Sequence, residues 1–201
     1  SQGRGSKESP STVVQSGKPV RVFLTVGSQM PFDRLVSSVA AWAVDRPWVC
    51  VAGQIGQTRL QPDQLQPIQA HGQLAAQAYL HAFASAHLVV AHAGMGSILT
   101  ALELNKPLVV MPRRGHLAET RNDHQFDTAQ QLVCRPAAAL AGGSVWVAMN
   151  ERELPTVLDQ ALGVLQEDCA GTAKPLGDAA SETQATLIRS LRQLIMHGQV
   201  R

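Results

Sequence analysis

Leu88-Val-Val-Ala-His-Ala-Gly-Met-Gly-Ser97 decides the fold. An unbroken aliphatic run ending at Ala91 reads as a strand covered on both faces, because a half-exposed strand would alternate apolar and polar residues. His92-Ala-Gly94-Met-Gly96 then turns the chain, and a helix is predicted from Ser97 to Leu104, where Asn105 ends it. The same phrase recurs on either side. Upstream, Val20-Arg-Val-Phe-Leu-Thr-Val26 is a strand ending in Gly27-Ser28-Gln29. It is followed by Phe32, Leu35, Val36, Val39 and Ala43 at helical spacing, with Asp33 in the first turn. Downstream, Pro107-Leu-Val-Val-Met111 is a strand, 112–121 a charged loop, and 122–132 a helix.

The remaining segments fit the same scheme. Trp48-Val-Cys-Val-Ala52 is a strand closed by Gly53. Residues 54–77 hold eight glutamines with Pro62, Pro67 and Gly72, and are read as loops around one short strand. Helices are expected over 74–86, 151–165 and 182–196, a last strand over 144–148, and a linker over 167–180. Strand and helix alternate with short connections, which a parallel sheet with helices on both faces satisfies most simply. The expected fold class is therefore α/β, Rossmann-like. Residues 1–19, rich in Ser, Gly, Lys and Gln, are expected to be a disordered tail, and 20–201 one domain.

Composition narrows the function. With 45% hydrophobic and 16% charged residues, a sizeable core is available, while a net charge of +2 argues against a nucleic-acid partner. Cys50, Cys134 and Cys169 form no CxxC pair, so a zinc ribbon or disulfide scaffold is disfavoured and a reducing cytoplasm is expected. No apolar run reaches the roughly 20 residues needed to cross a bilayer. The polar N-terminus also lacks the apolar core of a signal peptide.

In open parallel sheets, ligands sit beyond the carboxyl ends of the strands. That rule selects 27–29, 53–56, 92–97 and 113–125. At Gly94-Met95-Gly96-Ser97 a strand passes into a helix, where free N–H groups and the positive end of the helix dipole suit a phosphate or diphosphate. The competing reading is a tight turn that needs glycine for packing alone. A dinucleotide fingerprint fits poorly: Leu99 replaces its third glycine, and Arg113-Arg114 stand where an acid belongs. Those arginines would suit only a 2′-phosphate, so NADP is disfavoured, and no Walker A loop is present. The second stretch runs from Met111 through Arg113, Arg114, His116 and Glu119 to Asp123-His124-Gln125. Gln and His donate and accept and a carboxylate accepts, a set that together matches vicinal sugar hydroxyls, and the alternative is a solvated loop with Asp123 as a helix-terminal acid. His116 and His124 are too widely spaced to suggest a metal. His81 and His87 read as surface or packing residues, and Met30 and Met95 as fillers.

Together, residues 22–28, His92-Ala-Gly-Met-Gly-Ser97, Lys106-Pro-Leu-Val-Val-Met-Pro112 and Asp123-His124-Gln125 resemble the C-terminal, donor-binding half of glycosyltransferase family 28 over about residues 20–165. The resemblance implies one half of a GT-B glycosyltransferase that uses a UDP-sugar, with no metal or other cofactor. It implies that Gly94, Met95, Gly96 and Ser97 hold the diphosphate, that His124 and Gln125 face the sugar beside Asp123, and that Gly27, Ser28 and Gln29 face the cleft. Where many members carry a ribose-gripping glutamate this chain has Thr100, with Glu103 one turn on. His92, Arg113 and Arg114 are placed on the cleft lining, the arginines as a bidentate clamp or as solvated groups. The family includes split enzymes, so a membrane-associated acceptor-binding subunit and a place at the inner face of the membrane are expected. The catalytic base is expected in that missing half. The other functional class compatible with these residues is a UDP-sugar-binding sensor or regulator without transferase activity.

Overall fold

The computed structural model describes residues 19–27, 30–133 and 145–169. Six strands form one sheet: β1 (Val20–Thr25), β2 (Val49–Gln54), β3 (Ile68–His71), β4 (Leu88–His92), β5 (Leu108–Met111) and β6 (Val145–Val147). The helices are α1 (Asp33–Val44), α2 (Ala76–Ser85), α3 (Met95–Glu103), α4 (His124–Val133) and α5 (Leu154–Cys169). Single 3₁₀ turns lie at Pro62–Leu65 and Gly115–Leu117. Every strand pair is parallel and the order is β3-β2-β1-β4-β5-β6. This is the expected Rossmann-like α/β architecture. The tail expected over 1–19 lies outside the described residues except for Pro19, as does the helix expected over 182–196.

Alternation along the central strands distributes their side chains between two cores. Val22, Leu24, Leu88, Val90, Val109 and Met111 pack under α1 and α5 with Leu35, Val39, Leu154 and Leu158. Phe23, Val89, Ala91, Leu108 and Val110 turn to the other face, against Phe83 of α2, Ile98 and Leu102 of α3, and Leu132 of α4. Burial on both faces is why these strands read as continuous apolar runs rather than alternating ones. Each fully buried Leu, Val or Phe contributes roughly 1.5–3 kcal/mol of transfer free energy.

Several boundaries differ from the sequence reading: α5 runs to Cys169, into the expected linker, and two others bear on the site. β2 does not close at Gly53: the ladder continues, with Gly53 opposite Leu24 and Ala70, and Gln54 opposite Thr25 and His71. Gly53 serves packing here, since a Cβ on it would lie 3.3 Å from Leu24 Cβ and from Ile55 Cγ2. α3 begins at Met95 rather than Ser97, so Gly96 belongs to the helix and Gly94 precedes it. Asn105 does end that helix, and its φ of 55° is the left-handed conformation that asparagine tolerates.

The strand order positions the site. The chain runs outward from β1 through β2 to β3, then returns to β4 beside β1 and runs outward the other way. Loops leaving β1 and β4 therefore diverge to opposite faces and leave a crevice above the carboxyl ends of these two strands.

Candidate functional site: the crevice between β1 and β4

The floor of the crevice is His92, the last residue of β4. Its ring fills the space between two glycines: a Cβ on Gly27 would lie 2.9 Å from His92 Cε1, and one on Gly94 would overlap Nε2. Gly27 also has φ +77°, a conformation that strains any side chain. Nδ1 of His92 is buried with no hydrogen-bond partner among the described residues. Burial first, then the positive charge of Arg113, lowers the His92 pKa to about 4, with the Thr25 backbone opposing. The ring is thus neutral at physiological pH.

α3 rises from this floor. Gly94 is its N-cap, extended at φ −87° and ψ 137°, and has no side chain to cap the helix. Among the described residues the N–H groups of Met95, Gly96 and Ser97 meet no acceptor. Ser97 is buried, whereas Gly96 is exposed, and a Cβ there would meet nothing within 4 Å. The two readings of the turn therefore separate by residue. Gly94 is needed to accommodate His92, while nothing in the packing requires Gly96 to be glycine. Unpaired N–H groups and the positive end of the helix dipole converge on the crevice, an arrangement that attracts an anion.

Left of the turn, a cleft of about 400 Å³ opens above β1, β2 and β3. Gly27, Met30, Pro31, Gln54, Gly56, Gln57, Gly72 and Gln73 line it, and none of them is charged. Gln54 is 8% exposed, and its Oε1 accepts the Leu74 N–H at 2.9 Å, which fixes its amide. Gln54 and Gly56 fall in the segment 53–56 that the strand-end rule selects, while Gln57, Gly72 and Gln73 add a wall from an interval read as connecting loops. Its signal was the glutamine density, which a solvated loop also shows.

Right of the turn lies the β5–α4 loop, and here Arg113 departs from the clamp or solvated role that the sequence suggests. Arg113 is neither solvated nor free to clamp a phosphate. It is 4% exposed, and its two terminal nitrogens donate to the carbonyls of Val26, Met30, Pro31 and Glu119 at 2.6–2.9 Å. Its guanidinium also stacks 4.7 Å from the Phe32 ring centre. Arg114 donates to Met149 O at 2.8 Å and lies 4.1 Å over Phe126, on the α4 side of the loop. Arg34, which the sequence reading missed, makes a bidentate pair with Glu119 at 2.8 Å, and also reaches Glu151 and Pro112 O. Burial works against the Arg34 charge, but the bonds to Glu119 and Glu151 outweigh it and raise its pKa.

The trio expected to face the sugar is partly engaged. Asp123 Oδ1 accepts the Gly115 N–H at 2.8 Å and so shapes the loop. His124 is exposed at the start of α4, and Gln125 is half-buried, with Oε1 3.4 Å from the Arg113 N–H. Thr100 turns its hydroxyl back onto Gly96 O at 2.9 Å, and Glu103 lies near the far end of α3, about 10 Å along the axis from Gly96. Ser28 and Gln29 lie outside the described residues. Among the described residues, no three His, Cys, Asp or Glu side chains converge as metal ligands would.

Comparison with known proteins places this architecture. Residues 21–141, more than half of the chain, match the family model of the glycosyltransferase family 28 C-terminal domain. The chain belongs to that family. The family 28 domain is also 33% identical over 107 residues to the UDP-N-acetylglucosamine transferase subunit ALG13 of Eremothecium gossypii, a match spanning 53% of this chain and 44% of that protein. Among solved structures, the domain resembles the glycotransferase of kitacinnamycin, with a TM-score of 0.56 and 20% identity over 96% of this chain and 43% of that one. It also resembles the solution structure of ALG13, with a TM-score of 0.52 and 18% identity over 87% of this chain and 98% of that one. At these identities the structural likenesses speak to the fold, and they agree with the expected GT-B half.

Proposed function

We propose that this chain is the donor-binding subunit of an inverting glycosyltransferase that moves a sugar from a UDP-sugar to a lipid-linked or polysaccharide acceptor. The observation that carries the reading is the trio of unpaired N–H groups at Met95, Gly96 and Ser97, above the β1–β4 crevice. As the sugar–phosphate bond breaks, negative charge grows on the diphosphate, and donors already aligned at a helix start stabilise it without reorganising. In that role they replace a metal. The uncharged cleft above β1–β3 suits the nucleoside end, and Gln125 and His124 on the other side suit sugar hydroxyls.

The acceptor hydroxyl attacks the anomeric carbon, the bond to UDP breaks, and the hydroxyl proton must pass to a base. Burial and the Arg113 charge, which lower the His92 pKa to about 4, make its ring a weak proton acceptor at neutral pH. Following the family resemblance, the base is assigned to a second subunit that binds the acceptor. Support comes from the ALG13 relative, which by its name is a subunit of a transferase. No helix among the described residues is long and apolar enough to cross a membrane, so a membrane-associated partner would bring this chain to the cytoplasmic face.

A melting panel tests the donor assignment. UDP and a UDP-sugar at 100 times their dissociation constants should each add about 2.7 kcal/mol of stability, unchanged by EDTA. A shift with NADP and none with uridine nucleotides refutes it. Gln125→Ala should weaken the UDP-sugar by roughly 0.5–1.5 kcal/mol and leave UDP nearly unaffected. Turnover should require the partner-containing membrane fraction, and transfer by the pure chain would reject the split-enzyme reading.

A further inference from the structure

We propose that Arg113 is a positioning residue that carries the state of the β5–α4 loop across to the β1–α1 loop, so that a donor sugar bound at Gln125 orders the far wall of the cleft. The inference rests on the donor-binding reading above.

The four acceptors around the Arg113 guanidinium are all backbone carbonyls, and three of them, Val26, Met30 and Pro31, belong to the connection between β1 and α1. Glu119 provides the fourth, from the arginine's own loop. No carboxylate hydrogen-bonds the buried cation; Glu119 favours its charge through space, and the aligned carbonyls are its direct hydrogen-bond partners. A planar fork of donors can hold several carbonyls in one arrangement, which the tetrahedral ammonium of lysine does not reproduce. Backbone position on one side of the crevice is thereby tied to one side chain on the other.

The same residue faces the sugar end through its main chain. Its N–H points at Gln125 Oε1 across 3.4 Å, a weak bond that a turn of the Gln125 amide towards a hydroxyl would break or tighten. The loop between them is stiff: Glu119 accepts the Arg114 N–H at 2.9 Å while paired with Arg34, and Asp123 holds Gly115. At the other end of the path, Gly27, Met30 and Pro31 line the cleft. No hydrogen bond joins the Gly94–Ser97 turn to Arg113 among the described residues, and the turn meets the β1–α1 connection through the His92 ring packed against Gly27.

Amide exchange, read residue by residue, tests the coupling with UDP and then with UDP-N-acetylglucosamine, UDP-glucose and UDP-glucuronate. In the wild type, UDP should slow exchange at Met95, Gly96 and Ser97. The sugar nucleotide should add severalfold protection both at Gly115–Leu117 and at Gly27, Met30 and Phe32. Arg113→Lys should keep the increment at Gly115–Leu117 and lose it at Gly27, Met30 and Phe32. Gln125→Ala should lose both. A purely structural Arg113 would speed exchange in the β1–α1 loop equally in all states and preserve the sugar-dependent increment, and that result overturns the proposal. So does a wild type whose β1–α1 loop is indifferent to the sugar. Should Arg113→Lys not fold, persistence of the increment at Gly27, Met30 and Phe32 in Gln125→Ala overturns it instead. Failure of every uridine nucleotide to protect Met95–Ser97 would reject the donor reading, and the proposal with it.

Discussion

Replacing Gly96 by alanine separates what the fold needs from what a ligand needs. Gly96 is the second residue of α3, and the methyl that would be added meets no atom within 4 Å beyond its own turn of helix. Alanine is favoured over glycine in a helix by roughly 0.5–1 kcal/mol, so the variant should be slightly more stable. For a domain of this size that raises Tm by about 1–4 °C. A diphosphate seated on the Met95–Ser97 amides would meet the new methyl. Overpacking a filled site costs roughly 1–3 kcal/mol, a fall of about 5- to 150-fold in UDP affinity. Calorimetric titration with UDP, paired with thermal melting, reads both quantities on one sample. Gly94→Ala is the control with the opposite sign of stability. Its backbone angles suit alanine, but the methyl would overlap His92 Nε2 and come within 2.7 Å of Cδ2, so Tm should fall by several degrees. A more stable Gly96→Ala that binds UDP as well as the wild type would refute the placement of the diphosphate.

Acid stability should depend on His92. Its folded pKa of about 4 lies below the ordinary 6.5, so the unfolded chain takes up a proton that the folded chain refuses. The stability present above pH 6.5 should be lost as pH falls towards 4, and His92→Asn should flatten that slope in denaturant titrations at pH 4 to 7. An unchanged slope would show that other groups govern it. Glu119→Ala leaves Arg34 half-buried without its bidentate partner and should cost about 2–4 kcal/mol. Arg46→Ala, which opens the more exposed pair with Asp159, should cost about 1 kcal/mol or less, and the reverse order in chemical denaturation would contradict this ranking.

Most of the sheet is legible in the sequence because its central strands are buried on both faces. Val22-Phe-Leu and Leu88-Val-Val-Ala carry that state as uninterrupted apolar residues. The turn from β4 into α3 is equally legible, because Gly94 and Gly96 stand between an apolar strand and a helical repeat. What escapes local reading is burial created by distant parts of the chain. Gly53 looks like punctuation, and only the neighbouring Leu24 and Ala70 make it part of a ladder. Arg113 sits in a run of charged residues that reads as solvated. It is buried because carbonyls from residues 26, 30 and 31, more than 80 positions earlier, close around it. Arg34 is likewise a helix-surface arginine in sequence, and acquires its role only from Glu119 and Glu151.

The strand order also governs how the chain is made. β1 precedes the other strands among the described residues, yet it lies in the interior of the sheet, between β2 and β4. On a ribosome adding roughly 5–20 residues per second, about 3–13 s separate the appearance of Thr25 from that of Leu88. Through that interval Val22, Phe23 and Leu24 present one unpaired, apolar edge, which β2 and β3 cannot cover because they extend the sheet in the other direction. Parallel pairing across so long a loop is slow to form and exposed to misassociation. The geometry that opens a ligand crevice between β1 and β4 therefore makes the nascent chain dependent on protection of its first strand until His92 has emerged.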